Sequence, residues 1–292
     1  MNSGFRALHP ITLFLFYGGL LLSGMLLFHP VFLLTGIILL IVLISIQKHA
    51  GTIVRMLPFY LLIGIAIVVI NPLISHRGRH ILFYFMDQPI TLESVLYGVT
   101  MLLSLTLILL TSLSYNYNVT TDKFMYLFAK FVPQSALVVM MALRFVPLLR
   151  RRLTQITLVQ RTRGISVHEG SLTKRMRDGM TLVKVLLVWS LEEALQSADS
   201  MKARGYGTTK RTAYVVHRMD RRDRWLTGCL SVLIIVIMIG SALGWGRAVI
   251  YPRMQSMVFS MQDWILYLCF GLYLLIPVIV EGKEWLSWKY SK

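Results

Sequence analysis

Residues 11–46 read ITLFLFYGGLLLSGMLLFHPVFLLTGIILLIVLISI, without a single Asp, Glu, Lys or Arg. A helix needs roughly 20 mostly apolar residues to cross the hydrocarbon core of a bilayer. His29-Pro30 divides this stretch, and proline suits the first position of a helix. The sequence therefore predicts two consecutive membrane helices, at residues 11–28 and 31–46.

Four further apolar runs follow, at residues 53–74, 92–114, 226–245 and 258–280. The whole chain has 292 residues, of which 56% are hydrophobic and only 15% are charged. A soluble domain carries about 25% charged residues, so this composition indicates an integral membrane protein. We expect an all-α fold with about six transmembrane helices.

A basic insert separates the fourth and fifth runs, which suggests three regions along the chain. These are an N-terminal membrane region (1–114), a helical insert that is cytoplasmic or lies at the membrane interface (115–224) and a C-terminal membrane region (225–292). Residues 115–225 hold 20 of the 30 Lys and Arg residues and 8 acidic residues. Since Lys and Arg accumulate on the cytoplasmic side, we expect the insert and both termini to be cytoplasmic.

The net charge of +17 has a membrane explanation as well as the usual nucleic-acid one. Clusters of basic residues next to membrane helices attract anionic lipid headgroups. Residues 150–152 and 218–224 form two such clusters. We therefore expect contact with anionic lipid and no binding of nucleic acid.

The insert is long enough to require structure of its own. Residues 123–144 are apolar but interrupted by Lys130 and Pro133, which favours a helix lying along the inner leaflet or dipping into it. Pro147 then predicts the start of a helix that runs to Arg163. After a polar, glycine-containing stretch at 165–179, a second long helix is expected from about Met180 to Arg204.

Both long helices carry an apolar stripe and end in Arg-Gly. The stripes are Leu149, Leu153, Ile156 and Val159 on the first helix, and Val183, Leu187, Leu191, Ala194, Leu195, Ala198 and Met201 on the second. The ends are Thr162-Arg163-Gly164 and Ala203-Arg204-Gly205.

Capping alone is one explanation of these ends, because glycine often terminates a helix and a cation complements its dipole. The other is that each guanidinium projects beyond its helix and binds a carboxylate or backbone carbonyls of a partner.

Several segments resemble the transmembrane T component of energy-coupling factor (ECF) transporters, the EcfT/CbiQ family. The most specific are QRTRG at 160–164 and ADSMKARGYG at 198–207, and LRFVPLL at 143–149 supports them. The resemblance spans residues 5–210 and departs slightly at Thr162, where the family commonly has Ala.

This resemblance implies a non-catalytic subunit in the plasma membrane of a prokaryote. Such a subunit couples two cytoplasmic ABC-type ATPases to a small membrane protein, the S component, that captures a vitamin or a transition metal ion. It further implies that Arg163 and Arg204 dock on the ATPase subunits. No catalytic residue, cofactor or metal site is expected.

Two other functions remain open from the residues themselves. A conventional ABC importer permease would have its own translocation path and a single coupling helix. An intramembrane enzyme would need catalytic side chains within the spans, and the apolar runs offer no convincing set.

The sequence has no G-x-x-x-x-G-K-[ST] phosphate loop and no H-E-x-x-H motif. His76 and His80 are a weak metal candidate; a solvated loop is the simpler interpretation.

A G-x-x-x-G pattern at Gly240 and Gly244 would allow close approach of another helix. Packing within this chain is the simpler explanation, and contact with the substrate-binding partner is the alternative.

Overall fold

The computed structural model describes residues 4–47, 50–74, 80–85, 88–167, 169–208, 219–246, 248 and 259–290. Within them, nine α-helices follow a short 3-10 turn at Gly4–Ala7. The helices are α1 (Pro10–Leu26), α2 (Pro30–Ile46), α3 (Ala50–Ile74), α4 (Leu92–Asn118), α5 (Thr121–Phe131), α6 (Pro133–Arg161), α7 (Leu172–Ala203), α8 (Arg221–Ala242) and α9 (Met261–Tyr290).

Each of the six apolar runs forms a helix, which confirms the all-α membrane fold. Four of the helices, α3, α4, α8 and α9, are long and apolar enough to cross a membrane. The other two, α1 and α2, have 17 residues each. At 1.5 Å per residue they reach about 25 Å, somewhat less than the roughly 30 Å hydrocarbon core.

The sequence interpretation missed one element, a β-hairpin between α3 and α4. Its strands β1 (Ile81–Phe85) and β2 (Gln88–Thr91) pair antiparallel, with Ile81 opposite Thr91. The sequence had suggested only a solvated loop there. The run ILFYF is rich in β-branched and aromatic residues and is the signal that could have predicted a strand.

The chain divides into two compact units, residues 1–124 with 217–292, and residues 125–216. The first unit contains the six apolar helices. In it α2 packs against α4 and α9, α1 packs against α4 and α8, and α3 packs against α4. The termini of the sequence thus contribute to one core, because α9 also contacts the N-terminal 3-10 turn.

Aromatic side chains fill the centre of this first unit. The largest fully buried ones are Phe5, Phe16, Tyr17, Phe32, Phe270 and Tyr273. The Tyr273 hydroxyl donates to the backbone carbonyls of Leu15 (3.0 Å) and Phe16 (2.8 Å), which ties α9 to α1. A buried tyrosine needs such a hydrogen-bond acceptor because its hydroxyl has left water.

A second set of buried polar contacts holds the C-terminal end of α4 against α1 and α2. The sequence predicts that this end is on the cytoplasmic side. The Asn118 amide nitrogen donates to the Tyr17 hydroxyl (2.7 Å), the Ser114 carbonyl (2.9 Å) and the Gln47 side-chain oxygen (3.2 Å). Asn118 is only 3% exposed. These bonds join the end of α4 to two helices near the N-terminus, α1 and α2.

Lys123 extends this junction beyond the end of α4. Its ammonium donates to the backbone carbonyls of Arg6 (2.5 Å) and Asn118 (3.3 Å). Burial lowers the pKa of Lys123, and the nearby Arg6 charge lowers it further. The lysine therefore caps the last turn of α4 with a partly desolvated cation.

The two glycines of the G-x-x-x-G pattern have different roles. A Cβ atom at Gly240 would lie 2.6 Å from Leu266 Cδ1 of α9, so this glycine permits close packing within the chain. Gly244 follows the end of α8, and a Cβ atom added there would meet no heavy atom within 4 Å. The structure thus favours internal packing over contact with a partner at Gly240.

In the second unit, both long helices begin earlier than the sequence predicted. The first, α6, starts at Pro133 rather than Pro147, so Pro147 lies inside it and leaves the Leu143 carbonyl without its usual donor. The second, α7, starts at Leu172 rather than near Met180, and the Ser171 side chain caps it by accepting from Lys174 N. This serine is a start signal that the sequence interpretation overlooked.

The segment predicted as one helix across residues 123–144 is divided at Val132 into α5 and α6. Its placement along or within the inner leaflet stays a prediction.

We predict that Asn118→Ala destabilises the first unit, because the Tyr17 hydroxyl and the Gln47 amide lose a buried partner. The expected cost is about 1–3 kcal/mol. It is measured as a lower apparent melting temperature of the monodisperse protein in detergent. Asn116→Ala, a change at an exposed position of the same helix turn, is the matched control and should leave the melting temperature unchanged. Equal melting temperatures for both variants would contradict the role of Asn118.

Candidate functional site at two Arg-Gly helix ends

The residues Thr162, Arg163 and Gly164, called tip one below, terminate α6 by a specific backbone arrangement. Gly164 has a φ of +76°, in the left-handed region that favours glycine. The Ile165 N–H donates to the Gln160 carbonyl (3.1 Å), and the Gly164 N–H donates to the Arg161 carbonyl (3.0 Å). This pair of bonds is the Schellman motif, which satisfies carbonyls at a helix end.

Tip two, formed by Ala203, Arg204 and Gly205, repeats the same geometry at the end of α7. Gly205 has a φ of +77°. The Tyr206 N–H donates to the Met201 carbonyl (3.0 Å), and the Gly205 N–H donates to the Lys202 carbonyl (2.9 Å). In both tips the arginine is therefore the last residue before the left-handed glycine.

The end of α8 shows that this backbone arrangement does not require arginine. There the Trp245 N–H donates to the Gly240 carbonyl (3.0 Å), and the Gly244 N–H donates to the Ser241 carbonyl (3.1 Å). The residue before this glycine is Leu243. Capping accounts for the glycines of the two tips, and the helix dipole favours a cation at these ends without requiring one.

Both tip arginines are exposed. Among the residues that the structure describes, neither guanidinium makes an ion pair, and the ion pair found near tip one is Arg161 with Glu169 (3.6 Å). An arginine offers five N–H donors in a planar fork that matches a carboxylate. The two side chains are thus available to a partner.

The helices α6 and α7 pack antiparallel within the second unit. The Arg152 guanidinium lies over the Trp189 ring, 5.0 Å from its centroid. On one side of this contact Gln160 and Val185 line a common groove, and on the other side Arg144 and Arg204 line another. The numbering therefore rises along α6 as it falls along α7.

This arrangement places the two tips at opposite ends of the helix pair. From the Arg152–Trp189 contact, tip one lies about 16 Å along α6 and tip two about 22 Å along α7, at 1.5 Å per residue. A single small binding site on a partner cannot engage both arginines at once. The tips present two separate contacts.

The loop after tip one is fastened to the first turns of α7. The Ser166 N–H donates to the Asp178 carboxylate (3.0 Å), and the Arg175 Nε donates to the Val167 carbonyl (2.7 Å). Ser166 is only 6% exposed. Sequence reasoning missed Asp178 and Arg175 because it treated residues 165–179 as a loop, whereas α7 already includes both.

Tip two continues differently. The Thr208 hydroxyl donates to the Gly205 carbonyl (2.7 Å), and this carbonyl also accepts from the Thr208 N–H (3.1 Å). These bonds form a compact turn directly beyond the arginine. Residues 209–218 lie outside the described part of the chain.

The predicted apolar stripes remain largely exposed in the structure. On α7, Val183, Leu187, Leu191 and Leu195 are 51–68% exposed, and on α6, Val159 is 59% exposed. Exposed apolar surface of this kind usually marks contact with another protein or a membrane. The packing of α6 on α7 therefore uses only part of each stripe.

Metal chemistry finds no support in the described residues, where no group of three or more His, Cys, Asp or Glu side chains could hold a metal ion. The weak candidate pair cannot be judged as a pair, because His76 lies outside the described residues.

Comparison with known proteins bears directly on these tips. A family model described as "Cobalt transport protein" (CbiQ) matches residues 6–214, which include both tips and more than two thirds of the chain.

Several curated relatives are energy-coupling factor transporter transmembrane proteins. The EcfT of Lacticaseibacillus paracasei is 41% identical over 103 residues, 35% of this chain and 39% of the relative. The EcfT 1 of Listeria monocytogenes is 31% identical over 180 residues, 57% of this chain and 66% of the relative. The EcfT of Acidaminococcus fermentans is 29% identical over 212 residues, 68% of this chain and 76% of the relative.

The match to the Lacticaseibacillus relative thus spans about two fifths of that protein, whereas the family model covers the greater part of this chain. Together with the apolar helices and the paired tips, these similarities show that the chain belongs to the EcfT/CbiQ family, the transmembrane T components of ECF transporters.

Proposed function

We propose that the chain is the coupling subunit of an ECF-type ABC importer. It has no catalytic activity of its own and links two cytoplasmic ABC-type ATPases to a membrane S component. In this proposal residues 115–224 are the cytoplasmic coupling region between the membrane regions 1–114 and 225–292. The protein lies in the plasma membrane of a prokaryote, and both of its termini are in the cytoplasm.

The observation that carries the proposal is the pair of equivalent tips at opposite ends of two packed helices. Arg163 and Arg204 occupy the same position of the same capping motif and are both exposed. We infer that tip one (Thr162, Arg163, Gly164) docks on one ATPase subunit and tip two (Ala203, Arg204, Gly205) on the other. Each arginine would bind carboxylates or carbonyls of its ATPase.

Coupling also requires a contact with the S component, and the exposed apolar stripe of α7 is suited to it. A row of leucines that α6 does not cover, at positions 187, 191 and 195, offers an apolar surface for the S component. We infer that movement of the ATPases reaches the S component through this surface. The S component selects the substrate, a vitamin or another micronutrient such as a transition metal ion.

A conventional ABC permease is the second candidate. It would use its own translocation path and one coupling helix, whereas this chain has two long helices that each end in an exposed arginine followed by a left-handed glycine. The paired tips therefore favour the T component.

Anionic lipid is the remaining proposed partner. The Arg150 and Arg151 side chains line an open groove beside Pro147, where they can reach lipid phosphates, and Arg221 lies in the first turn of α8. Arg152 belongs to a different environment, because it stacks on Trp189.

We predict that Arg163→Glu and Arg204→Glu each weaken binding of one ATPase subunit by about a hundredfold or more. Removing one partner from a desolvated ion pair costs about 3–5 kcal/mol, and each 1.4 kcal/mol is tenfold in affinity. The measurement is titration of the purified ATPase subunits onto the chain in detergent, followed by ATP-dependent uptake in vesicles.

The matched control for tip two is Lys202→Glu, which makes the same charge change two residues earlier, on an exposed side chain. It should retain ATPase binding, and Arg163→Lys should retain only part of it because lysine lacks the planar fork. Unchanged assembly and uptake in the double variant Arg163→Glu/Arg204→Glu would refute docking through the tips.

We predict that Asp178→Ala loosens tip one and leaves tip two unaffected. The buried Ser166 N–H loses its carboxylate acceptor, which costs about 1–3 kcal/mol. Trypsin should therefore cut after Arg161 or Arg163 roughly tenfold faster, at an unchanged rate after Arg204. Asp199→Ala, at an exposed position of the same helix, is the control. Cleavage rates equal to those of the control would contradict a positioning role for Asp178.

A further inference from the structure

The hairpin between α3 and α4 exposes apolar side chains on its first strand, β1. Ile81 is 48% exposed, Leu82 is 52% exposed and Tyr84 is 67% exposed. The pairing with β2 shifts register between Ile81 and Phe83, so Leu82 lies at a β-bulge, where the regular alternation of side chains is interrupted. All three exposed side chains are apolar, whereas a hairpin that stands in water usually has a polar face.

The base of the hairpin is fixed to the start of α4, which is in turn bonded to α3. The Leu92 N–H donates to the His80 carbonyl (2.9 Å), and the His80 N–H donates to both Glu93 carboxylate oxygens (3.3 Å each). Glu93 itself is only 1% exposed. The Asn71 amide of α3 donates to the Ser94 carbonyl of α4 (2.7 Å), which joins the two helices at the same level.

The exposed surface of the hairpin continues an apolar surface of α3. In the last turns of that helix Ile70, Leu73 and Ile74 are 51%, 42% and 76% exposed. This helix is one of the four that can cross a membrane, so its exposed apolar side chains face lipid or a neighbouring membrane protein. The hairpin begins seven residues after Ile74 and lies where the span ends.

Depth in the membrane follows from the backbone. A two-stranded hairpin leaves the outer N–H and C=O groups of each strand unpaired, and these groups cannot enter the hydrocarbon core. Its apolar side chains, in contrast, are unfavourable in water, where an isolated hairpin is also only marginally stable. Both requirements are met together at the boundary between headgroups and acyl chains, where tyrosine is also enriched.

We propose that this hairpin is an interfacial anchor that lies in the lipid headgroup region and inserts Leu82 and Tyr84 toward the acyl chains. The anchor fixes the level of the α3–α4 junction relative to the bilayer. It does not depend on ATPase docking and stands or falls separately from the proposed function.

Spin labels test this anchor directly. Cys229 and Cys269 are first replaced, and single cysteines are introduced by Leu82→Cys and Tyr84→Cys. The full chain, with the subunits that purify with it, is labelled and reconstituted into vesicles of phosphatidylcholine and phosphatidylglycerol. Collision rates with oxygen and with a water-soluble nickel chelate then give the depth of each label. We expect both labels about 5–10 Å below the lipid phosphates.

Two positions calibrate the measurement. Val69→Cys, on the exposed face of α3, should report lipid, and Glu169→Cys, exposed in the second unit, should report water. Labels at 82 and 84 that collide with the chelate as often as the label at 169 would overturn the proposal. Protection from both reagents would also overturn it, because the hairpin would then be covered by protein, such as a substrate-binding subunit, rather than by lipid.

Discussion

The antiparallel packing of α6 on α7 determines what the two arginines can reach. The Arg152 guanidinium lies over the Trp189 ring and holds the two helices together near their middles. Their C-terminal ends point in opposite directions because the helices are antiparallel. A cation over an indole contributes about 0.5–2 kcal/mol, depending on how far it is desolvated. If the two helices ran parallel, both guanidinium groups would lie at one end and would face a single partner.

The helix α7 is connected to both tips. It carries tip two at its C-terminal end, and through Asp178 and Arg175 it holds the loop that follows tip one. This single helix of 32 residues contains no proline. A displacement applied at one tip would therefore be transmitted along a continuous hydrogen-bonded rod, whereas α6 is interrupted by Pro147.

Much of this arrangement could be predicted from the sequence. Hydropathy located all six apolar helices, because runs of that length with at most one charged residue have few alternatives in a folded chain. The repeated Arg-Gly ends identified tip one and tip two before any geometry was known, and the resemblance to the EcfT/CbiQ family was confirmed. Whether these residues dock on ATPases stays a prediction.

The remainder depended on contacts that local patterns do not contain. The early start of α6 escaped prediction because Pro133 and Pro147 are both acceptable first residues, and only packing decides between them. The hairpin was missed because its strands are short and its polar flanks resemble a loop. The bond from Ser166 to Asp178 joins residues twelve positions apart across a turn, so no local sequence pattern predicts it.

In the proposed function, both guanidinium tips contact ATP-hydrolysing subunits inside the cell. Replacing Arg163 and Arg204, one at a time, by a photoreactive amino acid and illuminating intact cells tests it most directly. We expect each position to form an adduct with an ABC-type ATPase subunit, and the two adducts to persist when the S component is absent. Adducts with no such subunit at either position, or labelling of both positions from outside the cell, would contradict it.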